Sequence, residues 1–443
     1  MAGNLPSYIT SAKPVPLSAR APWFKNTAPT YAGIFLWFAF WNEMGFRGLN
    51  IGGLASALVG IVIAAIVCHL LFYLAPGLLG LKTGLPLYVV GTSTFGTVGG
   101  LLLPGFLMGI LQFGWLGVNT YYSSAALADA NNSVAFYVLC VVWALAAAFV
   151  GLKGIQYVAK VATFLPLIPF AVLIFAVIKF GGSAGDFKVP GGGSADFQGG
   201  LFTVIGYIVG FFATAGAAGV DFGMNNRDSK DVNWGGMVGI SLAIIFTAGA
   251  SVLAIAGAQG AGVVMGADKA AFTTTEALKK TTSSGLFTAI MIGLTVASFP
   301  GACFSSFIAA NSFRTVMPKI NPFISVGLGA LVSIILAMTG VAGDLPKVFG
   351  FIGASFGPIV GAMTVDYLLS NGKWAGPRAG WNVAGWGAWL LGFIVGILPN
   401  LGVAVPIAPV LAFVVGALVY LILAKLGLEG EKVPMEGSQP AAS

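Results

Sequence analysis

Leu111-Gln-Phe-Gly-Trp-Leu-Gly-Val-Asn-Thr-Tyr121 lies within residues 83–128, a stretch with no Asp, Glu, Lys or Arg. A helix needs about 20 apolar residues to cross a hydrocarbon core about 30 Å thick, and this stretch is long enough. Yet it carries two amides, Gln112 and Asn119, beside Trp115. Spacings of three and four place all three on one helical face. Polar groups inside a span are expensive unless they meet a partner or a water-filled cavity. The stretch therefore reads as a membrane helix with a polar inner face.

The pattern recurs along the chain. Residues 48–81, 130–152, 161–178, 197–220, 232–267, 281–313, 320–343, 348–365 and 379–424 are equally free of formal charge. These runs are continuously apolar rather than alternating, which argues against barrel strands. The last holds two crossings, broken near Pro399–Asn400. Twelve helices are expected, at about 27–45, 51–79, 98–127, 133–151, 155–179, 200–219, 235–258, 286–312, 322–341, 346–370, 382–399 and 404–425. The first 25 residues hold no apolar core followed by a cleavage site, so helix 1 is expected to direct insertion.

Composition agrees. Only 8% of the 443 residues are charged and 57% are hydrophobic, against about 25% charged in soluble domains. So few charges cannot cover a water-soluble surface. His69 is the only histidine, which excludes a zinc or haem centre built on imidazole. Cys68, Cys140 and Cys303 fall in apolar runs with no CxxC spacing, so no disulfide framework is expected.

An even helix count puts both termini on one side. With the termini inside, 14 Lys and Arg fall inside and 7 outside, while the acids split seven and seven. The net charge of +7 then sits wholly inside, as the positive-inside rule requires. The expectation is a multi-pass protein of the plasma or inner membrane with cytoplasmic termini. Residues 1–26 read as an N-terminal tail, 27–427 as one transporter domain and 428–443 as a disordered tail.

Two further spans carry unusual residues. Helix 6 contains Phe211-Phe-Ala-Thr-Ala-Gly-Ala-Ala-Gly219, with Thr214 shortly after Phe212. Helix 8 contains Ala297-Ser-Phe-Pro-Gly-Ala-Cys-Phe-Ser-Ser-Phe-Ile-Ala-Ala-Asn311, where Pro300–Gly301 should bend the helix. Taken singly, these features also suit helix packing, an interfacial aromatic, or serines bonded back to their own helix. Together, two aromatics, an amide face and a hydroxyl pair beside a bent helix suggest a flat, hydrogen-bonding ligand next to a small cation. Aromatic faces sandwich a planar ring and amides read its edge. Serine hydroxyls and free carbonyls suit Na⁺.

Several local patterns resemble the nucleobase–cation symporter-1 family, which includes cytosine permeases and the hydantoin transporter. They run from Ser18 to Asp366. They are Ser18-Ala-Arg20, Lys82-Thr-Gly-Leu85, Ser93-Thr-Phe-Gly96, Gln112-Phe-Gly-Trp115, Asp221-Phe222 and Ala362-Met-Thr-Val-Asp-Tyr-Leu368. The resemblance implies an all-α five-plus-five inverted repeat: helices 1–5 and 6–10, with helices 1 and 6 broken and helices 11 and 12 peripheral. By position it implies that Trp115 stacks on the substrate and Phe212 covers its other face. Gln112, Asn119, Thr214 and Asn311 would supply hydrogen bonds. Ser305, Ser306 and the Ala302 carbonyl, with the Gly33 and Leu36 carbonyls of helix 1, would hold Na⁺. The chain departs from the family in having two serines as that hydroxyl pair, and in lacking a basic residue directly after Asp221-Phe222.

The resulting expectation is a secondary transporter that imports a planar nitrogen heterocycle, coupled to Na⁺ or H⁺, with no cofactor and no obligate protein partner. The alternatives are an amino-acid symporter of the same fold, and a channel or membrane scaffold. A membrane enzyme lacks its nucleophile, base or metal set. Glu43 has two readings, a proton-coupling carboxylate or a partner of Arg47 one turn on. Asp366 likewise reads as a titrating group or as a structural residue at the helix end.

Overall fold

The computed structural model describes residues 5–130, 133–154, 164–190 and 195–435. Ten helical stretches of the described residues are long and apolar enough to cross a bilayer. The 17-residue α9 and a broken first helix complete the set.

Helix α1 consists of α1a (Thr27–Phe35) and α1b (Phe38–Asn42). No glycine marks the break, and none is needed. Trp37 opens it with φ −61° and ψ 122°, extended backbone available to any residue. Helix α2 follows without the loop expected at 46–50. It runs Met44–Val67, passes through a π segment at Cys68–Tyr73, and ends as Leu74–Thr83. Its one kink is at Gly53, where φ is +74°, a conformation glycine adopts at little cost. Helix α3 is Thr92–Gly100, a π segment Leu101–Leu107 and Met108–Ala125. Helix α4 is Val134–Lys153. Helix α5 is described as Leu167–Phe180, and its expected beginning at 155–163 lies outside the described residues.

The second repeat mirrors the first. Helix α6 is α6a (Phe197–Ala217) and α6b (Gly219–Gly223), divided at Ala218. Helix α7 is Ser229–Gly236, a π segment Met237–Leu242 and Ala243–Gly260. Helix α8 (Ser284–Val316) stays continuous through Pro300. Then come α9 (Pro322–Met338), α10 (Leu345–Leu369), α11 (Val383–Ile397) and α12 (Ala408–Lys425). Breaks in α1 and α6, and π segments in α2 and α7, fall five helices apart, as an inverted repeat requires. The α2 and α7 π segments also meet: Gly236 packs on His69 and Tyr73, and the Tyr73 hydroxyl donates to the Val232 carbonyl at 3.2 Å. Helix α6b sits so close to the end of α2 that a Cβ at Gly80 would lie 2.0 Å from the Val220 carbonyl oxygen. Small residues permit such backbone contact between membrane helices.

Both ends of the chain meet the connection between α2 and α3, so they share one side of the molecule, called the terminal side below. The Tyr8 hydroxyl bonds the Thr97 carbonyl, and the Val15 N–H donates to the Gly84 carbonyl at 2.9 Å. Arg20 donates to the Leu81 carbonyl at 2.8 Å. At the other end, Arg378 is buried between Asp366 (3.0 Å) and Glu429 (2.6 Å), and Tyr420 donates to Glu429 at 2.8 Å. Ser93 and Thr94 donate to Asp366 at 2.6 and 2.9 Å. Asp366 therefore takes the structural reading. The disorder expected from residue 428 is corrected through the residues described, and the N-terminal tail is likewise ordered where it is described. Residues within 8–25 and 429–433 are held by these bonds and by the Ala379 N–H to the Glu431 carbonyl and the Val433 N–H to the Pro377 carbonyl, both at 2.8 Å. Residues 436–443 lie outside the described residues.

Candidate functional site

The site forms where α1 is broken. Trp37, at the break, meets Trp115 of α3 edge-on at 6.2 Å and lies nearly parallel, at 10°, to Phe211 of α6a at 6.3 Å. Trp115 meets Phe211 edge-on at 5.3 Å and Phe349 of α10 at 5.4 Å. The Trp115 indole N–H donates to the Thr214 hydroxyl at 3.1 Å, so these two expected residues are brought together. Gln112 is buried one turn away, and among the described residues its amide nitrogen has only the Met108 sulfur, at 3.5 Å. The Trp37 Nε1 is buried and has no hydrogen-bond partner among the described residues. An unmatched donor, a weakly bonded amide and a hydroxyl thus surround a cluster of rings. Buried polar groups without partners are costly, so this arrangement suits a polar-edged ring as their partner.

Phe212 does not face Trp115 in this structure. It is fully buried and stacks on Phe35 at 5.7 Å and 21°, with Tyr31 at 5.6 Å. Successive residues on a helix point about 100° apart, and the ring that faces Trp115 is Phe211. Asn119 is bonded to other side chains and backbone in this structure. Its Nδ2 donates to the Ser298 carbonyl at 3.0 Å, while its Oδ1 accepts from Trp143 at 2.9 Å and Ser123 at 3.2 Å. It ties α3 to α8 and α4. Asn311 is exposed and does not join the ring cluster. It shares a face of α8 with Gly301 and Phe304, and Phe304 stacks on Phe222 of α6b at 6.3 Å. Sequence reasoning missed Trp37, Phe211 and Phe349. The aromatic density of Phe35-Leu-Trp-Phe-Ala-Phe-Trp41 was the available signal for the first.

The expected cation ligands make bonds within their own helices. Ser306 donates to the Ala302 carbonyl at 3.1 Å and packs on Gly151 of α4. Ser305 is buried beside it. The Leu36 carbonyl accepts from the Trp41 indole at 3.0 Å. The Trp37 N–H bonds the Ile34 carbonyl at 3.3 Å, which turns the usual helical donor away from Gly33. Among the described residues, no hydrogen bond joins Gly33 or Leu36 to Ala302, Ser305 or Ser306. Nor do the described residues contain a group of three His, Cys, Asp or Glu able to hold a metal ion.

The two ends of the site differ. On the side away from the termini, Tyr122 covers Trp37 at 6.0 Å and donates to the Gly343 carbonyl at 2.9 Å. Glu43 pairs with Arg47 at 3.0 Å and with Lys269, and it also lies 3.4 Å from the Tyr122 hydroxyl. Asn42 binds the N–H of Thr275 at 3.0 Å. This end is closed by α1b, α3, the α7–α8 connection and the start of α10. Toward the terminal side, a Cβ on Gly33 would meet nothing within 4 Å, and Gly301 and Asn311 are exposed.

Residues 14–423 match the family described as permease for cytosine/purines, uracil, thiamine, allantoin. The fold is shared with solved structures. Mhp1, a nucleobase-cation-symport-1 family transporter, in a closed conformation with bromovinylhydantoin bound, is 15% identical with a TM-score of 0.69, and 96% of each chain is covered. Its inward-facing conformation is 18% identical, also at 0.69, covering 97% of this chain and 94% of that one. A Na⁺-coupled sialic acid symporter in an outward-open state is 14% identical at 0.57, covering 96% and 93%. No curated protein matches the sequence.

Proposed function

The chain belongs to the permease family for cytosine/purines, uracil, thiamine and allantoin, and from that premise we propose that it imports a planar nitrogen heterocycle by cation-coupled alternating access. It is a membrane transporter and not an enzyme. The observation that carries the substrate class is Trp115: its indole is oriented by Thr214, flanked by Gln112 one turn away, and faced by Trp37 and Phe211 at the break in α1. A flat solute slides between rings that already prefer ring partners. Its edge satisfies the free Trp37 N–H and the Gln112 amide.

In this reading the terminal side is cytoplasmic and the protein sits in the cell membrane. The site loads from the opposite side once Tyr122 and Glu43 release α1b, and it empties past Gly33 and Asn311. Na⁺ is the coupling ion. Ser305, Ser306 and the Ala302 carbonyl hold it when α8 closes on the carbonyls of Gly33 and Leu36. Closing that gap while substrate binds makes each ligand favour the other, and linkage makes the effect reciprocal. One charge crossing about 100 mV contributes about 2.3 kcal/mol, roughly fifty-fold in concentration.

The test is uptake into proteoliposomes of labelled cytosine, uracil, hypoxanthine, allantoin and hydantoin under an imposed Na⁺ or H⁺ gradient. At least one heterocycle should accumulate with a Na⁺ gradient. Trp115→Ala should abolish binding while the protein still folds. Gradient-independent uptake removes the symport reading, and unchanged affinity in Trp115→Ala removes the site.

A further inference from the structure

A cleft of about 1090 Å³ runs beside the site without being part of it. Its walls are Ile110 and Gly114 of α3, Leu328 and Val332 of α9, and Phe351 of α10. Ile110, Leu328, Val332 and Phe351 are 41–60% exposed, although they lie within membrane-crossing helices. The cleft begins near Met317 and Ile320 on the terminal side and ends near Thr339 and Lys347 on the other. It thus follows the 17 residues of α9, about 26 Å of helix, close to the thickness of a hydrocarbon core. A heterocycle needs a compact pocket with polar groups converging on it. This cleft is long, apolar and open sideways, a shape that matches an acyl chain.

The charges at its two ends break the symmetry. At the far end Lys347 is paired with Asp344 at 3.0 Å. At the terminal end Arg314 and Lys319 flank Met317 in sequence, both are exposed, and neither has an ion pair among the described residues. Basic residues beside a gap between membrane helices attract anionic head groups.

We infer that the cleft between α3, α9 and α10 is a binding site for an anionic phospholipid of the terminal-side leaflet, its head group at Arg314 and Lys319 and an acyl chain along α9. The chain supplies apolar contact to Ile110 and Phe351, which otherwise face a gap wider than their neighbours fill. The lipid also backs the α3 wall whose adjacent face carries Gln112 and Trp115.

The experiment uses the purified full chain in detergent, supplied with phosphatidylglycerol or phosphatidylcholine and read by native mass spectrometry. Phosphatidylglycerol should be retained and phosphatidylcholine washed away. The double variant Arg314→Gln with Lys319→Gln should lower retention roughly thirtyfold, at about 1 kcal/mol per cation. A control pair distant in sequence from the cleft, Lys153→Gln with Lys425→Gln, should leave retention unchanged. Gly114→Leu, whose side chain grows into open space, should lower retention with both cations intact. Equal retention of the two lipids overturns the head-group assignment. An equal loss in the control pair overturns the site, since surface charge in general would then explain the binding.

Discussion

Neighbouring phenylalanines at 211 and 212 carry opposite duties. Phe211 sits among Trp37, Trp115 and Phe349, while Phe212 is locked against Phe35 and Tyr31. Phe211→Ala should therefore weaken heterocycle binding tenfold or more, since an aromatic contact contributes about 0.5–1.5 kcal/mol beyond its buried area. Phe212→Ala should instead cost about 3–5 kcal/mol of stability, the usual loss when a core aromatic is truncated. Titration by tryptophan fluorescence and thermal unfolding separate the two, and the reverse pattern would restore ring 212 to the site. The sequence could not decide this register. Helix periodicity says that adjacent residues diverge by about 100°, but the absolute rotation of α6a is set by its packing against α2 and α10, which lie far away in the chain. Trp115 and Thr214, which meet in the structure, stood out in the sequence because aromatic and hydroxyl groups in apolar runs are conspicuous singly. Asn119 stood out for the same reason, and here its amide bonds Ser298, Ser123 and Trp143, since an amide in a membrane needs partners whether or not it binds anything.

At the level of elements, the stretches that carried the family resemblance do mostly structural work on the terminal side. Ser93 and Thr94 bind Asp366, Arg20 binds the end of α2, and Asp221 accepts the Leu87 N–H at 2.9 Å. These ties fix where α2, α3, α6b and α10 meet, which explains why they read clearly in sequence. The spans themselves were legible because a bilayer demands long uncharged runs. The break in α1 was not, because extended backbone at Trp37 needs no glycine. Arg378 is the residue on which these ties converge: it is 2% exposed between Asp366 and Glu429. Arg378→Ala should cost about 3–5 kcal/mol, because it strands a buried carboxylate. Lysine at 378 should recover only part of that loss, as a point charge cannot fork between two acids. Thermal unfolding in detergent measures both, and an unchanged midpoint for Arg378→Ala would show that Ser93 and Thr94 alone satisfy Asp366.

For the whole molecule, the closed end and the open end define which way the site faces, and that makes the direction of gating testable. Glu43 is 3% exposed yet pairs with Arg47, Lys269 and the Tyr122 hydroxyl, joining α1b to three other parts of the closed end. Held by Arg47, Lys269 and the Tyr122 hydroxyl, Glu43 ties α1b to the closed end as a latch. Every 1.4 kcal/mol that the latch contributes changes the ratio of the two facing states about tenfold. Asn311 reports the opposite end, because it is exposed there while Cys68, Cys140 and Cys303 are all buried. An Asn311→Cys variant should thus react quickly with a membrane-impermeant thiol reagent applied from the terminal side. Adding Glu43→Gln should slow that reaction several-fold, since releasing the closed end lets the opposite end shut. Na⁺ with a transported heterocycle should also slow it, because both favour α8 closing on α1a. If the latch variant reacts at the same rate with and without these additions, the α8 face that bears residue 311 does not move with the closed end, and the two ends of the site open independently.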